Sequence, residues 1–326
     1  MGGSVVGKKY LVTGAAGMLG SFVVDRLVEL GAEVIALDIA QPRNGFGHLP
    51  SDAVRDVSVD ILDQEELAKL VVGCSGIVHI AAMLTRVVKQ HPVRGFEVNV
   101  GGTHHLLEAA ANEGMERFVL ASSGATYGTA EPSGGGLKES APLQGRSYYA
   151  ASKIASEIYC EVYAHERGLE YVALRLGTMY GPRLGPNGNV ASYLHAALED
   201  AGNTTIPLPL DPDDSRDLVY ISDAAECFVR GLTCERANVA LNVGTGFLTG
   251  NRELFQALLD AAGIDGELDW HPEDATVQAH GRFQDMTRTR EVLGYVPGTP
   301  LEEGMRAFVD WRASLPKSDR PMPAFA

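Results

Sequence analysis

Short apolar runs alternate along the first half of the chain with segments whose apolar residues recur at helical spacing. Lys9-Tyr10-Leu11-Val12-Thr13 predicts a short buried strand. The helix after it runs to about Leu30, with Leu19, Val23, Leu27 and Leu30 on one stripe and Gly31 as its stop. Glu33–Asp38 reads as a second strand ending in an acid, and Val57–Asp60 as a third. Asp63 and Glu66 make a capping-box-like start for a helix carrying Leu67, Leu70 and Val71. Gly76–Ala82 predicts a fourth strand, in which His79 reads as a packed core residue rather than a ligand. A helix is predicted from about Pro92 to Asn112, stopped by Gly114. Its mid-helix pair Gly101-Gly102 costs helical stability, so close approach to another helix is their expected use. Glu116–Ala121 is a fifth strand, the helix holding Tyr149 and Lys153 ends at Gly168, and Tyr171–Arg175 is a sixth strand. Such alternation predicts an α/β fold built on a right-handed, doubly wound parallel sheet.

Beyond Leu176 the pattern changes. Residues 181–216 are rich in Gly, Pro and Asn, with one helix predicted from Val190 to Ala201. Arg216–Ile221 returns as a strand, Ser222 or Asp223 caps the next helix, and Val239–Val243 is a further strand turned by Gly244-Thr245-Gly246. Helices near Arg252–Ala262 and Leu301–Ser314 follow. At 326 residues the chain exceeds the roughly 250–300 that one core supports. The expected division is residues 1–176 plus 213–247 as a nucleotide-binding domain and 177–212 plus 248–326 as a smaller C-terminal substrate-binding lobe.

Charge narrows the ligand classes. A net charge of −15 argues against binding to nucleic acid or to an anionic membrane, so a phosphate-bearing ligand must be held by local donors. The four cysteines lack C-x-x-C spacing and the histidines lack H-x-x-x-H, which predicts reduced thiols and no metal site. The opening MGGSVVGKKY has no apolar signal core, so the expectation is a soluble, cytoplasmic protein.

Two stretches carry candidate chemistry. Gly14-Ala15-Ala16-Gly17-Met18-Leu19-Gly20 joins the first strand to its helix, and the second strand ends at Asp38. That order is the one a Rossmann dinucleotide site requires. Gly14 permits the turn, Gly17 lets the backbone approach a pyrophosphate, and Gly20 lets helix and sheet pack closely. The helix start at Met18 and Leu19 aims free N–H groups at the phosphates. Asp38 would accept from ribose hydroxyls and repel a 2′-phosphate, which favours NAD over NADP. Asp60-Ile61 is placed to meet the adenine, and small Ala81 and Ala82 let a backbone lie against the cofactor. Second, Tyr149 and Lys153 stand one helical turn apart. An ammonium beside a phenol favours phenolate, so Tyr149 is predicted to titrate nearer neutrality than its reference of about 10. Such a phenol can exchange a proton with a carbinol or carbonyl.

With these pieces in order the chain resembles the extended short-chain dehydrogenase/reductase family, in its NAD-dependent epimerase/dehydratase branch. The likeness spans nearly the full length and rests on Thr13-Gly14-x-x-Gly17-x-x-Gly20, Asp38, Asp60-Ile61, His79–Ala82, Asn99-Val100-x-Gly102-Thr103, Ser122-Ser123, Tyr149-x-x-x-Lys153, Tyr180–Arg183 and Arg216–Tyr220. It implies Tyr149 as acid/base and Lys153 as its electrostatic partner, also bound to the nicotinamide ribose. It implies Ser123 on the reacting oxygen and Asn99 among the cofactor residues. Substrate contacts are expected from Thr85, Ser123, Thr178, Asn189 and Arg216. It also implies a homodimer through the helices at 92–112 and 148–167. Family members that dehydrate or decarboxylate carry acids where this chain has Gly124 and Ala125, which ranks those activities low. Thr178 stands where nucleotide-sugar enzymes usually have Asn, and Asp211–Asp214 is acidic, which weakens a nucleotide-sugar substrate. The expectation is therefore NAD-dependent oxidation of a secondary alcohol on a sugar or nucleotide sugar, as an epimerase. The alternatives are a dehydrogenase with net NADH formation and a NAD-binding regulator without turnover.

Overall fold

The computed structural model describes residues 3–40, 46, 48–132, 135–185, 191–199, 205–274 and 281–321. Seven strands form its main sheet: β1 Lys9–Thr13, β2 Glu33–Asp38, β3 Val54–Ser58, β4 Gly76–His79, β5 Arg117–Ser123, β6 Tyr171–Leu176 and β7 Val239–Val243. They pair in the order β7-β6-β5-β4-β1-β2-β3, every neighbour parallel. Strand order reverses at β1, which lies between β2 and β4, and the carboxyl ends at such a reversal are where open α/β sheets bind ligands.

Helices cover both faces because successive strand residues point opposite ways. On one face Val12, Val34 and Val78 pack with Val23 and Leu27 of α1 (Met18–Glu29). On the other, Leu11, Ile35, Ile77 and Phe118 meet Leu67 of α2 (Gln64–Leu70), Leu106 and Leu107 of α3 (Gly102–Glu113), and Cys160 of α4 (Tyr148–Arg167). Each large apolar side chain so buried contributes about 1.5–3 kcal/mol. A third cluster gathers Tyr180, Tyr193, Ile206, Leu208, Phe255, Leu258, Met305 and Phe308, nearly all from beyond Leu176 and from its own short strands and helices.

Several predicted elements shift. The third strand lies at Val54–Ser58 rather than 57–60, since at the sheet edge Arg55 and Asp56 can face water. The chain then turns at Asp60, whose Oδ1 accepts from Leu62 N at 3.0 Å. The predicted Pro92–Asn112 helix is interrupted by a π-helical turn at Glu97–Gly101, and Gly114, at φ 70°, ends α3. Gly102 abuts the Ile61 side chain rather than another helix, and an added Cβ would overlap Ile61 Cδ1. The strand predicted at 216–221 is broken at Asp217 into Ser215–Arg216 and Leu218–Tyr220. The next helix, α5 Ile221–Thr233, starts before Ser222. Asp223 caps nothing and instead accepts from Tyr295 Oη at 2.5 Å and from the N–H groups of Gly298 and Thr299. Of the helix expected at 190–201, Ala191–Glu199 is observed, and Val190, Asp200 and Ala201 lie outside the described residues. A helix at Thr85–Gln90 was not foreseen. No helix among the described residues is long and apolar enough to cross a membrane.

Candidate active site

The glycine loop is shaped by close approach. Gly14 sits at φ 71°, and a Cβ there would come within 2.7 Å of Ala81 N. Gly17 occupies the N-cap of α1 and a Cβ on Gly20 would overlap the Gly14 carbonyl, so loop, helix and the end of β4 meet without side chains between them. Helix geometry leaves the first-turn N–H groups of Met18 and Leu19 without intrahelical acceptors. Asp38 closes the loop from the end of β2, its Oδ2 accepting from Ala16 N at 3.0 Å and its Oδ1 from Ala40 N at 3.1 Å. These features make a cradle for an anion beside a carboxylate that can accept from hydroxyls.

The wall opposite is pinned from below. Thr13 Oγ1 accepts from Ile80 N and Ala81 N, both at 3.2 Å. It also bonds His79 Nδ1 at 2.8 Å, while His79 Nε2 lies 2.9 Å from Thr103 Oγ1. His79 is the core residue the sequence indicated, and burial, aided by the Lys153 charge, holds its pKa down to about 3. Ala82 follows, half-buried, in the same wall. Asn99 is spent on this wall: its Oδ1 accepts from Met83 N at 2.7 Å, and its Nδ2 donates to Met83 O at 3.0 Å and Ser152 Oγ at 3.1 Å. Of the pair expected at the adenine, Asp60 is paired with Arg94 at 2.8 Å, and Ile61 is buried.

Ser123 ends β5, and its Oγ accepts from Ala125 N at 3.1 Å. The Tyr149 hydroxyl is hydrogen-bonded to Ser123. Lys153 Nζ lies 5.8 Å from the Tyr149 ring centroid and donates to Ala121 O at 2.7 Å. Ser147 Oγ accepts from Ala150 N at 3.1 Å and so caps the helix that presents both side chains. The expectation that Tyr149 is already tuned towards neutrality is corrected. Burial raises its pKa, and the Ser123 hydrogen bond only partly opposes that rise. Burial also pushes Lys153 down to about 8, against the neighbouring Glu157 and Cys160. The phenol and ammonium are placed for proton exchange, each in an environment that disfavours its charged form.

On the substrate side, Thr85 is exposed at the start of its helix. Thr178 begins a short strand beside Leu218–Tyr220, with its N–H on Asp217 O at 3.0 Å. Arg216 is buried, its Nη2 donating to Asn251 Oδ1 at 2.9 Å and its Nε unpartnered. Asn189 lies outside the described residues. Of the acidic stretch after Leu210, Asp213 is exposed and reaches Arg252 at 3.4 Å, while Asp211 and Asp214 are half-buried and the Asp214 charge acts on Arg216. Gly124 leaves no acid beside Ser123, and a Cβ there would stand 3.3 Å from Leu176 O and 3.5 Å from Gln284 Nε2.

Sequence reasoning missed the buried polar frame beneath these groups. Arg175 binds Glu157 and Tyr127 Oη, Tyr127 donates to Asn242 Oδ1, and Gln284 Nε2 donates to Arg175 O and Asn242 Oδ1. Asp217 accepts from Gln284 N, Thr245 N and Thr245 Oγ1. Only Glu157, one turn beyond Lys153, had a local signal. Among the described residues, His271, Glu273 and Asp274 are the one group of three or more possible metal ligands whose ligand atoms lie within 4.8 Å of one another, with both acids exposed.

Comparison with known proteins agrees with this geometry. A model of the NAD-dependent epimerase/dehydratase family matches residues 10–244. The chain is 36% identical to a UDP-glucose 4-epimerase of Mycolicibacterium smegmatis, over 92% of this chain and 97% of that one. Its structure is similar to that of the Thermus thermophilus UDP-glucose 4-epimerase complexed with NAD, at a TM-score of 0.79 and 32% identity, covering 94% and 100% of the two chains. It is also similar to the Thermotoga maritima UDP-glucose 4-epimerase with UDP-glucose, at a TM-score of 0.82 and 29% identity, covering 93% and 98%.

Proposed function

The chain belongs to the NAD-dependent epimerase/dehydratase family, as an enzyme of the extended short-chain dehydrogenase/reductase type, and on that premise we propose that it epimerises a nucleotide sugar. NAD is its cofactor, and the glycine loop fits that group: the space beside Gly14 and Gly20 is too close for any Cβ. Asp38, Met18 and Leu19 take its adenosine and pyrophosphate, with Asp60, Ile61, Ala81, Ala82 and Asn99 forming or supporting the walls. NAD supplies a hydride acceptor that can also return the hydride.

The chain's own groups handle the proton and the geometry. Tyr149 Oη, as the phenolate, takes the carbinol proton and later gives it back, Ser123 Oγ holds the reacting oxygen, and Lys153 stabilises the phenolate that exists before the first event and is regenerated by the second. The observation that carries the substrate class is Arg216, a buried guanidinium with an unpartnered Nε and no carboxylate paired to it among the described residues. A diphosphate would satisfy it. Thr85, Thr178 and Asn189 are the further substrate contacts. Gly124 and Ala125 set epimerisation above dehydration, because no carboxyl stands there to remove a second proton.

Thr178 and the Asp211–Asp214 stretch favour a second reading, a NAD-dependent dehydrogenase acting on a sugar that lacks a diphosphate. Both readings are separated by incubating the enzyme with NAD and UDP-hexoses or free sugars, following absorbance at the NADH band and resolving products. Interconversion of UDP-hexoses without lasting NADH supports the epimerase. NADH accumulating with free sugars supports the dehydrogenase. In either case Tyr149→Phe lowers kcat by about 10²–10⁴-fold, and wild-type turnover in that variant rules out the proton role.

In the matching division, residues 1–176 plus 213–247 form the NAD-binding domain, which also lends Thr85, Ser123 and Arg216 to the substrate, and 177–212 plus 248–326 form the substrate-binding lobe around the third apolar cluster. Part of the second unit crosses back, since Leu293 packs with the sheet cluster and Thr289 Oγ1 donates to Asn242 O at 2.6 Å. A homodimer is supported by Val93 and Phe96 beside the π-turn and by Ile158, Tyr159 and Val162 on α4, all large apolar side chains left exposed. Four free, buried cysteines accord with a reducing cytoplasm.

A further inference from the structure

Glu157 takes no part in the proton relay, yet its carboxylate is almost wholly buried, one helical turn beyond Lys153 on α4. Arg175 grips it twice, Nε to Oε1 at 3.0 Å and Nη2 to Oε2 at 2.7 Å. Ser122 Oγ donates to the same carboxylate. Three side chains on successive turns of α4 therefore reach three consecutive residues of β5. Tyr149 bonds Ser123, Lys153 bonds the Ala121 carbonyl, and Glu157 bonds Ser122.

Two consequences follow from that ladder. Glu157 fixes the depth at which α4 meets the strand end, and so the spacing between Ser123 and Tyr149. It also places an anion next to an ammonium that sits in a dry environment. From α4 itself, Lys153 faces Tyr149, Glu157 and the Cys160 thiol; from β4 it faces His79. Arg175 of β6 faces Glu157 from the other side, with Tyr127 and the Glu139 carbonyl behind it. His79 is neutral at working pH and Cys160 is held as the thiol by burial, which leaves Glu157 as the charge that favours the ammonium.

We propose that Glu157 is a positioning residue of this site: its carboxylate keeps Lys153 charged and holds the Tyr149–Lys153 face of α4 against the end of β5. The structural part stands by itself, and its kinetic consequence rests on the proton relay proposed above. Burial already brings Lys153 down to about 8 with Glu157 in place. An opposite charge at such range moves a pKa by about one unit or more, so its loss would leave roughly half or less of Lys153 charged at neutrality.

The test is a titration of the NAD-bound protein labelled with ¹³Cε-lysine, the Lys153 signal being assigned by its loss in Lys153→Met. In Glu157→Gln the Lys153 midpoint falls by about one pH unit, and in Ser122→Ala, which keeps the charge, it stays near the wild-type value. The alkaline limb of kcat moves to lower pH in Glu157→Gln in parallel. A wild-type midpoint in Glu157→Gln overturns the proposal, and so does an equal fall in Ser122→Ala, because either separates the Lys153 charge from the Glu157 carboxylate. Should stranding Arg175 prevent folding, Glu157→Gln/Arg175→Gln removes both charges, and the midpoint must still fall. The titration needs no turnover, so an enzyme inactive on every sugar would refute the proposed reaction and leave the Glu157 result standing.

Discussion

Replacing Arg216 by Met separates a binding cation from a structural one. Arg216 is 7% exposed, and burial draws its pKa below the usual arginine value, with Asp214 opposing. Its polar partner among the described residues is Asn251 Oδ1, and its Nε has none. Truncating half of a buried ion pair ordinarily costs about 3–5 kcal/mol, because the partner is stranded. No carboxylate among the described residues is in ion-pair contact with this guanidinium, Asp214 acting on it only at longer range, so the loss is chiefly one hydrogen bond, about 0.5–1.5 kcal/mol, set against relief from burying a cation. Unfolding in urea should therefore change by no more than about 1 kcal/mol, in either direction. Ligand binding should respond far more. A desolvated charge contact to a diphosphate is worth about 2–5 kcal/mol, or roughly 30-fold to several-thousand-fold in Kd. Calorimetric titration with UDP reads that loss, and uridine, which has no diphosphate, serves as the control. A variant that loses more than about 3 kcal/mol of stability while binding UDP as before would show that Arg216 is structural, and the nucleotide-sugar reading would lose its support.

Two further outcomes concern the fold and the assembly. His79 has a folded pKa of about 3 against an ordinary 6.5, so the unfolded chain takes up a proton first as pH falls. Stability is then complete above about 6.5 and declines towards 3, by up to about 1.4 kcal/mol per pH unit. Urea unfolding at pH 7, 5.5 and 4.5 should show a shallower decline for His79→Gln than for wild type, and parallel declines would contradict the assignment. Phe96, 63% exposed beside exposed Val93, is expected to lie in the subunit contact. Phe96→Asp should yield monomers by light scattering after gel filtration, and a persistent dimer would move the interface elsewhere.

The parts of this site legible in the sequence are those fixed by local chemistry. Gly14 and Gly20 are legible because the turn and the helix packing exclude a Cβ, Gly17 because a Cβ there would crowd the Gly14 carbonyl at 3.2 Å, and Asp38 because it ends a strand next to that turn. Tyr149, Lys153 and Ser123 followed from helical spacing and from strand ends. What escaped depends on distant pairing. Asp217 breaks a run that reads as one strand because its carboxylate is claimed by the 244–246 turn and by Gln284 N. The Tyr127–Asn242 bond spans 115 positions, and no periodicity reports it. The direction of the Tyr149 shift was misjudged for a related reason: spacing shows that an ammonium is near, but only the packed environment shows how much burial opposes it.

Buried charge sorts into two kinds here, and the sorting supports the proposed site without reference to any relative. Among the described residues four arginines are buried: Arg117, Arg175, Arg216 and Arg312. Arg117 pairs with Glu170, Arg175 with Glu157 and Arg312 with Glu199, and each also bonds a neighbouring element, as interior cations must. Arg216 has no such carboxylate in contact, and Lys153 donates to the Ala121 carbonyl while its nearest anion, Glu157, is already gripped by Arg175. Burial works against the charged form of both, and against the phenolate of Tyr149. Their placement is explained by what they would meet: an anion at Arg216, and at Tyr149 and Lys153 a proton that must leave an alcohol and return to it.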